Sequence, residues 1–154
     1  MLIISHRGNL QGPSPFENQP SQIDICLEAG FDCEIDLRVE NDELFLGHDS
    51  GQYKITQEWL FDRKEKLWIH CKNFNAIALM QSLRSYSINF FWHQSDDYTL
   101  TSNNKIWVFP NQNLPKGSIA VLPETWITEA RYQELSGCFA ICTDLPENYK
   151  RRFD

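Results

Sequence analysis

Two carboxylates set two residues apart inside an apolar run are the most chemically loaded feature of this sequence. In Cys33-Glu34-Ile35-Asp36-Leu37-Arg38 the pattern predicts a strand, which turns Glu34 and Asp36 to the same face. Side by side, two carboxylates repel each other and resist burial. A bound divalent cation removes both objections, because hard cations take oxygen ligands. An exposed edge strand with an acidic face is the alternative.

Imidazoles and cations recur at comparable places. Leu2-Ile3-Ile4-Ser5 leads into His6-Arg7-Gly8, and Leu44-Phe45-Leu46 leads into Gly47-His48-Asp49. An arginine beside a glycine just past a strand suits an anion, since Arg offers a forked donor and Gly lets the backbone approach. Histidine titrates near neutrality and suits proton transfer. The run Leu67-Trp68-Ile69-His70-Cys71-Lys72 carries His70 and Lys72 at the same i, i+2 spacing. His93 ends the run Phe90-Phe91-Trp92 and fits a pocket wall as well as a core position.

These residues need elements to hold them. Pro20 opens a helix with Ile23, Cys26 and Leu27 on one face and Gly30 at its end. Thr56 and Asn73 read as caps of two further helices. Glu40-Asn41-Asp42-Glu43 reads as a turn, and a helix is expected from Thr128 to Ser136, capped by Thr128 and stopped by Gly137. Apolar runs at 90–93, 106–109, 119–122 and 139–142 suit strands buried on both faces. The connections 97–105 and 110–118 are too short for crossover helices. The expected fold is therefore α/β: a reduced TIM-type (β/α) barrel with seven or eight parallel strands and several helices replaced by loops. A doubly wound open sheet is the fallback, although the chain has no Gly-rich phosphate turn.

Composition sets the outer bounds. The 154 residues suit one domain, 1–154, with a real core. Fourteen basic against 21 acidic residues give a net charge of −7, which argues against nucleic acid as a partner. The basic triplet Lys150-Arg151-Arg152 reads as a solvated tail. Cys26, Cys33, Cys71, Cys138 and Cys142 sit in apolar segments without a CxxC pair, as reduced core residues of a cytoplasmic protein do. Neither a signal peptide nor a membrane span is expected. The sequence carries no sign of its oligomeric state.

Taken in order, His6-Arg7-Gly8, Glu17-Asn18, Glu34-x-Asp36 and His48-Asp49 resemble the signature of the glycerophosphodiester phosphodiesterases, members of the phosphatidylinositol-phospholipase-C-like barrels. The resemblance resumes at Ile69-His70-Cys71-Lys72 and at Thr143-Asp144-Leu145-Pro146. It implies a metal-dependent hydrolase of small phosphodiesters, linked to lipid metabolism. Glu34, Asp36 and His70 would hold one divalent ion, and His6 and His48 would serve as the acid–base pair. Arg7 and Lys72 would add positive charge at the phosphate, His93 would line the substrate pocket, and Glu17, Asn18 and Asp49 would orient the others. In that superfamily a substrate hydroxyl beside the phosphate often attacks first and gives a cyclic intermediate. Two features depart from the family pattern. Only a short helix separates Asp49 from the next strand, where the family inserts a capping segment. His70 stands in the place of an acidic ligand, which favours Mn²⁺, Co²⁺ or Zn²⁺ over Mg²⁺ or Ca²⁺. A non-catalytic or degenerate phosphate- or metal-binding relative is the alternative.

Overall fold

The computed structural model describes residues 1–153. In chain order these form β1 (Leu2–His6), α1 (Pro20–Glu28), β2 (Asp32–Glu40), β3 (Glu43–Leu46), β4 (Tyr53–Ile55), α2 (Gln57–Arg63) and β5 (Leu67–Cys71). There follow α3 (Phe74–Ser82), β6 (Asn89–Trp92), β7 (Tyr98–Leu100), β8 (Ile106–Val108), β9 (Ile119–Val121), β10 (Ala140–Thr143) and α4 (Pro146–Phe153). Local chemistry accounts for several boundaries. Thr56 Oγ1 accepts the Trp59 N–H at 3.0 Å, and Asn73 Oδ1 accepts the Ala76 N–H at 3.0 Å, so both expected caps are in place. Asn41 and Asp42 both adopt positive φ, as a two-residue hairpin between β2 and β3 requires.

The expected parallel barrel does not form. The ten strands make one mixed sheet curled into a half-barrel, with few helices. Parallel pairing runs β6-β5-β2-β1-β10-β9-β8. The pairs β2–β3, β3–β4 and β7–β8 are antiparallel. The departure has a physical origin in the short connections. Residues 97–105 are too few for a crossover helix, and part of them folds back as β7 on β8. β7 thus takes the place where β6 would meet β8, and β6 has a ladder on β5 alone among the described residues. Isolated bonds cross the gap instead of a ladder: the Ser102 N–H donates to the Phe90 carbonyl at 2.8 Å, the Phe90 N–H to Ser102 Oγ at 2.9 Å, and Thr99 Oγ1 to the Trp92 carbonyl at 2.8 Å.

Two more expectations change at the C-terminal end. Residues Glu129–Gly137 wind as a 3₁₀ segment rather than an α-helix, and Thr128 makes no capping bond. The basic triplet is solvent-exposed as expected, but it belongs to helix α4 rather than a tail, with the Lys150 ammonium over the Phe31 ring and the Arg152 guanidinium over Tyr132. All five cysteines are free, four of them buried. No helix among the described residues is long and apolar enough to cross a membrane.

Strand alternation divides the sheet into two faces with different cores. Ile3, Cys33, Ile35, Leu37, Leu67, Ile69 and Cys71 pack with Ile23 and Cys26 of α1 and with Ala76 and Met80 of α3. Inside the curl, Ile4, Trp68, Phe91, Trp107, Ile119, Val121, Ala140 and Cys142 form a second apolar cluster. By the same alternation His6, Glu34, Asp36, His70 and Asp144 continue the inner positions toward the strands' C-terminal ends. The inner apolar cluster is the floor on which the polar residues stand.

Candidate active site

Glu34 and Asp36 lie on β2 between β1 and β5, where His6 pairs in register with Glu34 and Asp36 with His70. Both carboxylates are buried, at 2% and 0% exposure, so the edge-strand alternative is removed. Their expected mutual repulsion is offset by cations. Arg7 Nε lies 2.9 Å from Asp36 Oδ2, His70 Nδ1 3.3 Å from Asp36 Oδ1, and Lys72 Nζ 3.8 Å from the same oxygen. Burial alone would raise the Asp36 pKa, but His70 and Arg7 hold it well below the usual carboxylate range. Burial likewise opposes charge on His70, yet Asp36 and Glu34 raise its pKa to about 9.

Ligand atoms of Glu34, Asp36 and His70 all lie within 4.8 Å of one another. Among the described residues Asp36 Oδ1 accepts no hydrogen bond of good geometry and faces the His70 and Lys72 cations, which a bound ion would displace. Two carboxylates and one imidazole suit a divalent ion of the Mn²⁺ or Zn²⁺ kind. His70 Nε2 donates to the His93 carbonyl at 2.8 Å, which leaves Nδ1 facing the carboxylates as a potential ligand once its proton is displaced. The imidazole ring is stacked on Phe91 at 4.8 Å, and Phe91 on Trp107 at 4.3 Å, so the floor fixes its plane.

The turn after β1 builds the adjoining part. Arg7 adopts φ 54 and its N–H donates to the Glu34 carbonyl at 3.0 Å and the Glu34 Oε2 at 3.3 Å. Gly8 follows at φ 82, where a Cβ would press on Ile23 Cδ1 at 3.0 Å. Asn18, also at positive φ, clasps Asp36 twice. Its Nδ2 donates to Asp36 Oδ2 at 2.8 Å, and its Oδ1 accepts the Asp36 N–H at 2.9 Å. Glu17 Oε2 accepts from Arg7 Nη1 at 3.1 Å. Glu17 and Asn18 thus act on Arg7 and Asp36, as orienting groups do.

Each expected acid–base histidine has a carboxylate on Nδ1. His6 donates to Asp144 Oδ1 at 2.8 Å, and His48 to Asp49 Oδ1 at 2.7 Å. Burial acts to lower the His6 pKa, but the Asp144 bond and the Glu34 charge outweigh it, and the net shift is upward. His48 is half-exposed and lines a cleft of about 300 Å³ with Lys72, His70, Arg38, Trp92 and Gln94. The His48 loop is held by Arg38, whose Nε donates to the Gly47 carbonyl at 3.2 Å and Nη2 to the His48 carbonyl at 2.7 Å. A side chain at Gly47 would overlap the Ser50 carbonyl, so the loop admits only glycine there.

His93 also reaches this cleft, but its Nε2 is occupied by the Asp96 carbonyl and its ring is stacked on Phe109 at 5.1 Å. Its main contribution is the carbonyl that holds His70. Three residues were not foreseen as site residues: Asp144, Asn9 and Arg38. Asn9 Nδ2 donates to Glu17 Oε1 at 2.9 Å and to Asp144 Oδ1 at 2.8 Å, which joins the His6 and Arg7 sides of the site. Asp144 belongs to the motif Thr143-Asp144-Leu145-Pro146. Asn9 follows His6-Arg7-Gly8 directly, but neither it nor Arg38 has a spacing that marks it. Comparison with family models, curated proteins and solved structures finds no match for this chain.

Proposed function

We propose that the protein is a divalent-metal-dependent phosphodiesterase acting on small phosphodiesters, of the glycerophosphodiester type that its motifs resemble. One observation carries the reading: a buried cluster of two carboxylates and an imidazole, with ligand atoms within 4.8 Å of one another, stands beside two carboxylate-paired histidines. Glu34, Asp36 and His70 would hold the ion, which when bound supplies Lewis-acid charge at a phosphate oxygen. Arg7 and Lys72 offer fixed positive charge to the phosphate. His6 and His48, each with Nδ1 engaged by an aspartate, present Nε2 for proton transfer. One takes the proton from the attacking hydroxyl, of water or of the substrate itself, as the new P–O bond forms. The other gives a proton to the departing alcohol oxygen as the old P–O bond breaks. Five free cysteines support a reducing compartment such as the cytoplasm.

A second reading rests on the charges of the metal-free cluster. Arg7, His70 and Lys72 there face Glu34, Asp36 and Glu17, and with the His70 pKa at about 9 three cations balance three carboxylates at neutral pH without a metal. Such a self-neutralised cluster would hold an anion at the Lys72 side of the cleft without hydrolysing it. One experiment separates the two: thermal unfolding and hydrolysis of a panel of lipid and soluble phosphodiesters, with Mn²⁺ or with chelator. Stabilisation by Mn²⁺ together with Mn²⁺-dependent turnover is expected. Binding of inorganic phosphate in chelator, with no turnover under any metal, refutes the enzyme in favour of the binder.

A further inference from the structure

Glu124 lies in the 3₁₀ turn Pro123–Thr125 just after β9, and no motif singles it out. Its Oε1 accepts two bonds from the end of β10: Thr143 Oγ1 at 2.9 Å and the Asp144 N–H at 2.8 Å. Thr143 Oγ1 in turn accepts the Leu145 N–H at 2.9 Å. The other oxygen, Oε2, is sealed from solvent and has no partner among the described residues. All the hydrogen bonding of this carboxylate is therefore committed to the segment that carries Asp144.

That commitment is costly. Burial pushes the Glu124 pKa up, against the backbone and Thr143 bonds that lower it. The turn that delivers the side chain is strained as well, because Leu122 adopts φ 46, in the left-handed region. The Leu122 N–H donates to the Cys142 carbonyl at 2.7 Å, which ties the strained residue to β10. Strain and a buried carboxyl committed to the Thr143 hydroxyl and the Asp144 N–H point to a need for an accurately placed Asp144.

We propose that Glu124 is a positioning residue for His6: by fixing Asp144, it holds the imidazole with Nδ1 bonded and Nε2 presented to substrate. The proposal rests on the phosphodiesterase reading for its catalytic consequence, but not for its structural one. In the sequence of contacts, Glu124 Oε1 holds the Asp144 N–H, Asp144 Oδ1 accepts the His6 Nδ1–H, and Asn9 steadies the same oxygen.

The test uses the full chain with Mn²⁺ and bis-para-nitrophenyl phosphate, and compares Glu124→Ala, Glu124→Gln and Glu124→Asp. Gln keeps an acceptor at the right reach, whereas Asp keeps the charge and withdraws the acceptor. Loss of an orienting partner should lower kcat by about 10–100-fold in Ala and Asp while KM changes little, and Gln should restore turnover. A second readout needs no substrate. The hydrogen-bonded Nδ1–H of His6 gives a downfield proton resonance, which should persist in Gln and disappear in Ala and Asp. If Ala does not fold, Asp carries the comparison. A wild-type resonance and wild-type kcat in Asp, or a Gln variant as impaired as Asp, overturns the proposal. A wild type that hydrolyses no diester sinks the functional reading instead, and the resonance then judges Glu124 alone.

Discussion

Asp36→Asn is the sharpest single perturbation of the centre. The two-carboxylate strand by itself predicts relief of repulsion and a metal-free variant at least as stable as the wild type. The structure reverses the sign. Asp36 is fully buried, and its oxygens stand 2.9 Å from Arg7 Nε, 3.3 Å from His70 Nδ1 and 3.8 Å from Lys72 Nζ. An amide there removes the negative charge and leaves those cations facing a neutral group. Breaking a buried ion pair on one side costs about 3–5 kcal/mol. For a chain of this size each kcal/mol shifts Tm by about 2–4 °C, so a loss of about 6–20 °C is expected. The pH dependence follows from the depressed Asp36 pKa. Its contribution is present above the unfolded carboxylate pKa of about 3.9 and is lost as pH falls through the lower folded value. The Tm gap between wild type and variant should therefore be full at neutral pH and shrink below about pH 4. Thermal unfolding by circular dichroism in chelator, from neutral pH downward, measures both. A variant as stable as the wild type in chelator at neutral pH would refute the ion-pair account of this cluster.

Two further outcomes are expected. His48→Ala should lower phosphodiester turnover by about 10²–10⁴-fold, with a melting temperature close to wild type because the ring is half-exposed and, among the described residues, bonds only to the exposed Asp49; unchanged turnover removes His48 from the acid–base pair. His70→Glu adds a third buried carboxylate and removes a cation, so the metal-free protein should melt lower and the metal preference should move from Mn²⁺ toward Mg²⁺. An identical Mg²⁺-to-Mn²⁺ preference in a metal titration of both proteins means that His70 is not a ligand.

Most of the strands were legible because their apolar runs have few rivals in the chain. Leu2–Ser5, the strand around Ile35 and the run at Leu67–Lys72 are continuous and flanked by polar turns, and each appears where expected. The helices over Ile23, Trp59 and Ile77 were marked by Pro20, Thr56 and Asn73. The architecture was not legible from the same signals. Parallel strands imply helical crossovers, but the second half lacks the chain for them, and the exposed Tyr98 and Leu100 on β7 give no apolar pattern from which a strand could be read. The site followed the same division. Periodicity of two brought Glu34, Asp36, His70 and Lys72 to one face from sequence alone. The ion pairs that neutralise them come from Arg7, whose turn geometry at φ 54 no local pattern encodes. Asp144 and Asn9 meet across |i−j| of 135, a contact that only the β1–β10 pairing creates.

The open barrel and the intact cluster are compatible because of where each residue sits. The chemistry is carried on four adjacent strands in the order β5-β2-β1-β10: His70, then Glu34 and Asp36, then His6, then Asp144 just past the last. Hairpin β3–β4 delivers His48 from the far end of β2, where its register is fixed by Leu37↔Leu46. None of these contacts needs a ladder between β6 and β8. The strands β6, β8 and β9 supply something else, the rings of Phe91 and Trp107 and the side chain of Ile119 that fill the curl beneath the polar residues. A floor of packed side chains tolerates an open seam, since packing does not depend on a continuous hydrogen-bond ladder. A misplaced ligand strand would not be tolerated, because two buried carboxylates with cations a few ångströms away have no alternative partners. The regular, helix-backed half of the sheet therefore coincides with the charged residues, and the irregular half with the apolar ones.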